Sequence, residues 1–450
     1  MTKEITRTRR AGRLAGKLLT ILLMLAPSAA SPPPAGAQSL GLDRDRSRRM
    51  LEIVKKNLRE NYYDPTFRGM NLDERFKQAD EKLKTSANLG QMFGIIAQVL
   101  TELEDSHTFF IPPGRISRVD YGWRMKIIGD NCYVTAVRPG TDAEAKGLKP
   151  GDLVLKAGGY DIIRENLWKF QYLYNVLRPQ AGMRVVVQSP GGAPRELELL
   201  AKVTEGKSLT DLTSGNEIFN LIRKEENEAH FTRHRYLEKL DGVMIWKMPQ
   251  FDLTKEKVDD MMGKVKKHQA LILDLRGNGG GAEETLVRLL GNLFKQEVNV
   301  GELKRRKETK PLVAKSRGEE AFEGKLVVLV DSESGSAAEL LARVVQIEKR
   351  GVVVGDRTAG AVMRSKGYPH QMGADIAIFY GVSITDADIQ MADGKSLEKV
   401  GVTPDEVRLP SAEDIAARRD PVLAHAASLV GLKLDAEKAG AMFPVEWRKQ

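Results

Sequence analysis

The chain has 450 residues, of which 42% are hydrophobic and 29% charged. That is enough for two or three domains with full cores, and too evenly mixed for a disordered or fibrous protein. Residues 1–37 carry six Lys/Arg against one Glu, so of the formal charge of +9 only +4 (nine less five) belongs to the remainder; a nucleic-acid-binding surface is not indicated, and a single cysteine, Cys132, excludes an internal disulfide framework.

Residues 1–37 have the pattern of a secretory signal. "TRTRRAGRLAGK" is a basic start, "LLTILLMLA" an apolar run too short to span a bilayer comfortably, and Ala35-Gly36-Ala37 a small-x-small cleavage site before Gln38. Cleavage after Ala37 would give a secreted or periplasmic protein; the alternative is an uncleaved anchor. No later segment is apolar enough to span a membrane, so none is expected once the signal is removed.

Residues 38–115 are expected to be helical. "SRRMLEIVKKNLRENYYD" and "NLGQMFGIIAQVLTEL" have apolar residues at helical spacing, the first ending at Asp64-Pro65. The second runs into "EDSHTFFIPPG", which ends in a Pro-Pro-Gly loop. Residues 116–204 change to short strands with Gly/Pro turns ("GWRMKIIG", "CYVTAVRPG", "RVVVQSP"). Cys132, in an alternating strand, is expected to be a buried thiol.

Residues 205–239 connect, with a charged helix in "NEIFNLIRKEENEA". "HFTRHRYLEKLDGVMIWKMPQF" gives two strands turning at Asp241-Gly242. Residues 240–410 alternate strand and helix: "ALILDLRG" and "KLVVLVD" are continuous apolar runs, as for strands buried on both faces, and each is followed by a helical stretch. This predicts an α/β domain. Residues 411–450 form a helical tail.

Ser336 lies where a strand gives way to a helix. There the helix N-terminus favours developing negative charge, which suits a nucleophile. The same residue also reads as a helix cap, because "SAAE" (Ser336 to Glu339) is a capping box. "DLRGNGGG" (Asp274 to Gly281) likewise follows a buried strand, with four glycines in five positions that let backbone N–H groups meet a ligand. It lacks the Gly-Lys-Ser/Thr ending of a phosphate loop, and an oxyanion hole suits it better.

A serine needs a base, and of the six histidines only His107, in "EDSHTFF", stands at a helix end before a loop. His230 and His234 share "HFTRH", with no motif to complete a metal site; His268 ends a basic helix, His370 follows Tyr-Pro in a loop, and His425 is on the terminal helix.

Two resemblances add to this. "AEAKGLKPGDLVLKAGG" resembles the core motif of PDZ domains. It implies a peptide groove beside a helix at Asn166 to Leu177, with Tyr121, Gly122, Trp123, Arg124 and Met125 at the place of the carboxylate-binding loop, though without its usual Gly-Φ-Gly pattern. "DLRGNGGG", "SGSAAELLARVVQ", "VVVGDRTAGAV" and "DGKSLEKVGVTPD" occur in the order and spacing of the C-terminal processing peptidases (tail-specific proteases). That resemblance covers most of residues 45–445. It implies a ClpP/crotonase-like α/β catalytic domain, with an N-terminal helical region and an inserted PDZ-like β-rich domain.

One branch of the family uses a Ser-Lys dyad, whose lysine would fall at 361, where this chain has Ala361. The chain is more similar to the tricorn-core-like branch with a Ser-His-Ser-Glu tetrad. This implies Ser336 as nucleophile, His107 as base, and Ser106 and Glu398 as support, with oxyanion donors from Ala337 and from Gly279 or Gly280. The implied activity is a serine endopeptidase acting on unfolded or tail-exposed polypeptides through an acyl-enzyme. No metal or organic cofactor is implied, and oligomeric state is not legible. The alternative is a catalytically silent peptide- or ligand-binding protein on the same scaffold.

Overall fold

The computed structural model describes residues 37–114, 117–205, 233–373 and 378–447. The expected signal segment up to residue 36, the helix expected at 216–229 and His230 lie outside them. No helix among the described residues is long and apolar enough to cross a membrane.

The chain opens with helices α1 (Ala37–Asn61), α2 (Leu72–Lys84) and α3 (Leu89–Thr101) and a short strand β1 (Phe109–Ile111). Asn71 and Asn88 cap α2 and α3, each accepting an N–H of the first turn. The apolar faces of the three helices close on Phe110, Tyr380, Val382 and Ile384.

An inserted unit follows: β2 (Ser117–Asp120), β3 (Trp123–Ile128), β4 (Asn131–Val137), α4 (Asp142–Ala145), β5 (Leu153–Ala157), β6 (Tyr160–Asp161), α5 (Leu167–Gln171), β7 (Gly182–Gln188), β8 (Arg195–Leu200) and β9 (Lys202–Glu205). Strands β3-β4-β5-β7-β8 form one sheet with β3 at its edge, and β6 adds to β5; β2 and β9 pair separately where the chain enters and leaves. The helix expected from Asn166 to Leu177 is regular only to Gln171. It then widens, so that Arg178 N–H bonds the carbonyl of Leu173, five residues back. Cys132 is buried, and burial pushes its thiol up to about 12.

The remaining elements are β10 (Arg235–Leu240), β11 (Val243–Lys247), α6 (Lys255–Val265), β12 (Ala270–Asp274), α7 (Glu283–Leu293), β13 (Val298–Lys304), β14 (Thr309–Ala314), β15 (Lys325–Val330), α8 (Ala337–Ile347), β16 (Val352–Gly355), β17 (Met363–Met372), β18 (Ile378–Met391), β19 (Glu406–Val407), α9 (Ala412–Ala416), α10 (Pro421–Leu429) and α11 (Ala436–Met442). One sheet runs β10-β11-β12-β15-β16-β19, parallel from β11 onward. Its alternate residues face two cores. Met244, Trp246, Leu271, Leu273 and Val328 pack on α6, α7 and α8, while Ile245, Ile272, Val327 and Leu329 pack on α10 and α11. Both faces are covered, which is why these strands are continuously apolar.

A second, antiparallel sheet runs β1-β18-β13-β14, with β17 on β18. His370, expected in a loop, is instead in β17. Pro369 is tolerated because β17 pairs with β18 alone, so the missing N–H faces an open edge. His370 Nε2 lies 2.9 Å from Asn57 Nδ2.

Candidate active site

Ser336 stands between β15 and α8 at φ 54°, ψ −118°, a backbone conformation rare for a residue with a side chain. Its N–H bonds the Ala361 carbonyl (2.9 Å) and Glu339 Oε2 (3.0 Å). So the capping glutamate does hold the start of the helix, while the Ser336 hydroxyl lies 3.3 Å from His107 Nε2.

His107 follows α3 and precedes β1, whose pairing with β18 ties this loop to the second sheet. On its other side, Nδ1 is 2.7 Å from Ser106 Oγ. Ser106 Oγ donates to Glu398 Oε2 at 2.8 Å, and Ser106 N–H donates to Glu398 Oε1 at 3.0 Å. A hydroxyl that donates to a carboxylate accepts from the ring, so Nδ1 carries the proton and the Nε2 lone pair faces Ser336. Burial holds His107 below its ordinary 6.5, with Asp105 opposing, and burial raises Glu398 against the donors Ser106 and Val362.

The glycine turn after β12 lies against Ser336. A Cβ on Gly280, at φ 100°, would sit 2.6 Å from Ser336 Cβ, so no side chain fits there. Gly280 N–H is taken by Asn278 Oδ1 (2.8 Å). No hydrogen bond among the described residues engages the N–H of Gly279 or of Ala337, the first residue of α8.

Three further residues organise the site and escape a motif reading. Asp105 accepts from His107 N–H (2.9 Å) and Thr385 Oγ1 (2.7 Å), fixing the histidine loop to β18. Glu339, fully buried, accepts from Thr358 Oγ1 (2.5 Å), Gly360 N–H (2.8 Å) and Ala361 N–H (2.9 Å) as well as from Ser336. Its signal was an acidic residue on the apolar face of α8, which a capping role alone does not explain. Position 361 acts through its backbone: the carbonyl holds Ser336, and the next N–H, of Val362, bonds Glu398 Oε2 at 2.9 Å.

Of the residues expected to bind a peptide, Tyr121 donates to the Gln180 carbonyl (2.8 Å), and Gly122, at φ 73°, immediately precedes β3. Trp123 pairs with Val137 and Met125 with Val134, and Arg124 contacts the chain's own tail. His234 bonds Asp252 (2.8 Å) and accepts from Trp246 (3.2 Å). No cluster among the described residues could hold a metal.

The fold and its relatives define a serine peptidase. Residues 243–408 match the model of Peptidase family S41. The chain is 26% identical to the chloroplastic C-terminal processing peptidase of Tetradesmus obliquus, over 76% of this chain and 73% of that one. It is 24% identical to the tail-specific protease of Haemophilus influenzae, over 74% of this chain but only 48%, about half, of that protein. Mature CPAF shares the fold, with a TM-score of 0.62 at 16% identity over 83% of this chain and 94% of that one. The photosystem II D1 C-terminal processing protease scores 0.50 at 18% identity, over 87% and 98%.

Proposed function

We propose that this chain is an exported endopeptidase that cleaves unfolded or tail-exposed polypeptides through an acyl-enzyme on Ser336. The observation that carries the reading is an unbroken series of hydrogen bonds from Glu398 through Ser106 and His107 to Ser336. His107 Nε2 takes the hydroxyl proton as Ser336 Oγ attacks the peptide carbonyl, and returns it to the leaving amine. The imidazolium formed in between is supported through Ser106 by the Glu398 carboxylate. The N–H groups of Ala337 and Gly279, with the N-terminus of α8 behind them, stabilise the tetrahedral oxyanion. Water then attacks the acyl-enzyme with His107 again as base.

The substrate class rests on the relatives being C-terminal processing and tail-specific peptidases and on the inserted unit, to which we assign a PDZ-like role because β3 is the edge strand of its sheet, as strand addition requires. Export rests on residues 1–37. The decisive experiment is labelling with a fluorophosphonate followed by peptide mapping. Modification of Ser336, abolished in His107→Ala, is expected; an unmodified protein would make the chain a silent binding scaffold.

A further inference from the structure

The end of the chain makes an arrangement that catalysis leaves unused. Arg124 on β3 and Arg138 just beyond β4 stand on paired strands. Their guanidinium carbons lie 4.8 and 5.1 Å from the ring centroid of one residue, Trp447. An aromatic face attracts cations, and here one ring meets two guanidinium groups.

The neighbouring residues are held as well. Arg124 Nη2 donates to the Glu446 carbonyl at 2.5 Å, and Arg138 pairs with Asp120 at 2.6 Å. On the peptidase side, Arg235 of β10 pairs with the Glu446 carboxylate at 3.4 Å and lies 5.2 Å over the ring of Phe443. β10 is the outer strand of the parallel sheet, and β3 is the outer strand of the inserted sheet. Residues 443–447 therefore bridge two sheet edges that belong to different units.

We propose that Arg124 and Arg138 form an aromatic-binding site on the inserted unit, specific for an acidic–aromatic pair, which the chain's own Glu446-Trp447 occupies as a latch. The inference goes beyond the catalytic reading and does not depend on it. The Arg pair supplies two cationic faces to one ring. Arg235 selects the acidic neighbour, and the tether keeps the tail at an effective concentration in the millimolar range, so a free peptide competes poorly with it.

The test is binding without turnover, in Ser336→Ala protein, of a fluorescent peptide with the sequence of residues 444–450. A chain ending at Val445 is expected to bind it saturably and the intact chain at least ten-fold more weakly. Arg124→Ala with Arg138→Ala in the shortened chain, or alanine for the peptide's tryptophan, is expected to cost at least ten-fold. Equal binding to intact and shortened chains, or binding indifferent to the two arginines, would overturn the proposal. If the shortened chain does not fold, Trp447→Ala in the full chain empties the clamp with the backbone in place; failure of that variant to take up the peptide more tightly than the intact chain would overturn it equally.

Discussion

Ser106 and Glu398 are 292 residues apart in the chain and joined by two hydrogen bonds, one from the serine backbone and one from its hydroxyl. The backbone bond survives any change of the serine side chain, so the two contacts can be separated. Ser106→Ala keeps the loop anchored but removes the link between Glu398 and the imidazole. Turnover should fall roughly 10²–10⁴-fold with little change in KM. Glu398→Gln should fall in the same range. A Ser106→Ala enzyme within a factor of three of wild type would place Glu398 outside the catalytic relay.

Backbone strain at Ser336 gives a second prediction. Glycine normally costs stability relative to alanine, but at φ 54° it relieves strain of order 1–3 kcal/mol. Both Ser336→Ala and Ser336→Gly should be inactive, with the glycine variant about 1 kcal/mol the more stable in urea denaturation. An alanine variant that proves the more stable removes the strain argument.

The pH profile follows from burial. His107 must be neutral to act, and burial lowers it from 6.5. Log kcat/KM should therefore rise with pH through a group titrating below 6.5 and be flat at neutrality; a lower limb rising only above pH 9 would point to a lysine. A depressed histidine also favours the fold most when neutral, so stability from this group is lost as pH falls from 6.5 through the lowered value. Glu398, raised, acts in the opposite sense: its contribution is complete below its unfolded value and is lost as pH rises through the folded one.

Glu339 ties Ser336 to residues 358–361. Glu339→Gln turns an amide N–H₂ toward N–H donors and should cost about 1–3 kcal/mol, with turnover reduced as Ser336 loses its anchor. Burial pushes this carboxyl up to about 7. Its stabilising contribution is thus full below about pH 4.5 and lost as pH rises through 7, while glutamine does not titrate. The deficit of the variant should be smaller at pH 8.5 than at pH 5.5; a deficit that grows with pH contradicts the assignment.

Lys126 of β3 reaches out of the inserted unit to pair with Asp331 and, at 3.3 Å, with Glu333, directly upstream of Ser336. Asp331 also holds Gly277 N–H at 2.9 Å. Lys126→Met leaves a largely buried carboxylate without its cation and should destabilise by a few kcal/mol. Calorimetry showing an unchanged Tm would mean that this contact does not hold the units together.

The sequence by itself determined what depends on neighbours along the chain. The apolar runs 270–274 and 325–330 had to be strands covered on both faces, and the capping box had to begin a helix at Ser336. The four glycines within 277–281 had to make a turn whose backbone can approach a ligand. The role proposed for Ser106, His107 and Glu398 was legible only through likeness to a family, because no local rule connects residue 106 to residue 398. Tertiary structure alone decided the rest. The long strand β18 brings Thr385 to Asp105, the edge position of β17 accommodates Pro369, and the 358–362 segment is held by a glutamate that locally is only a helix cap. Such contacts join elements far apart in the chain, and their partners are chosen by which surfaces the folded core brings together.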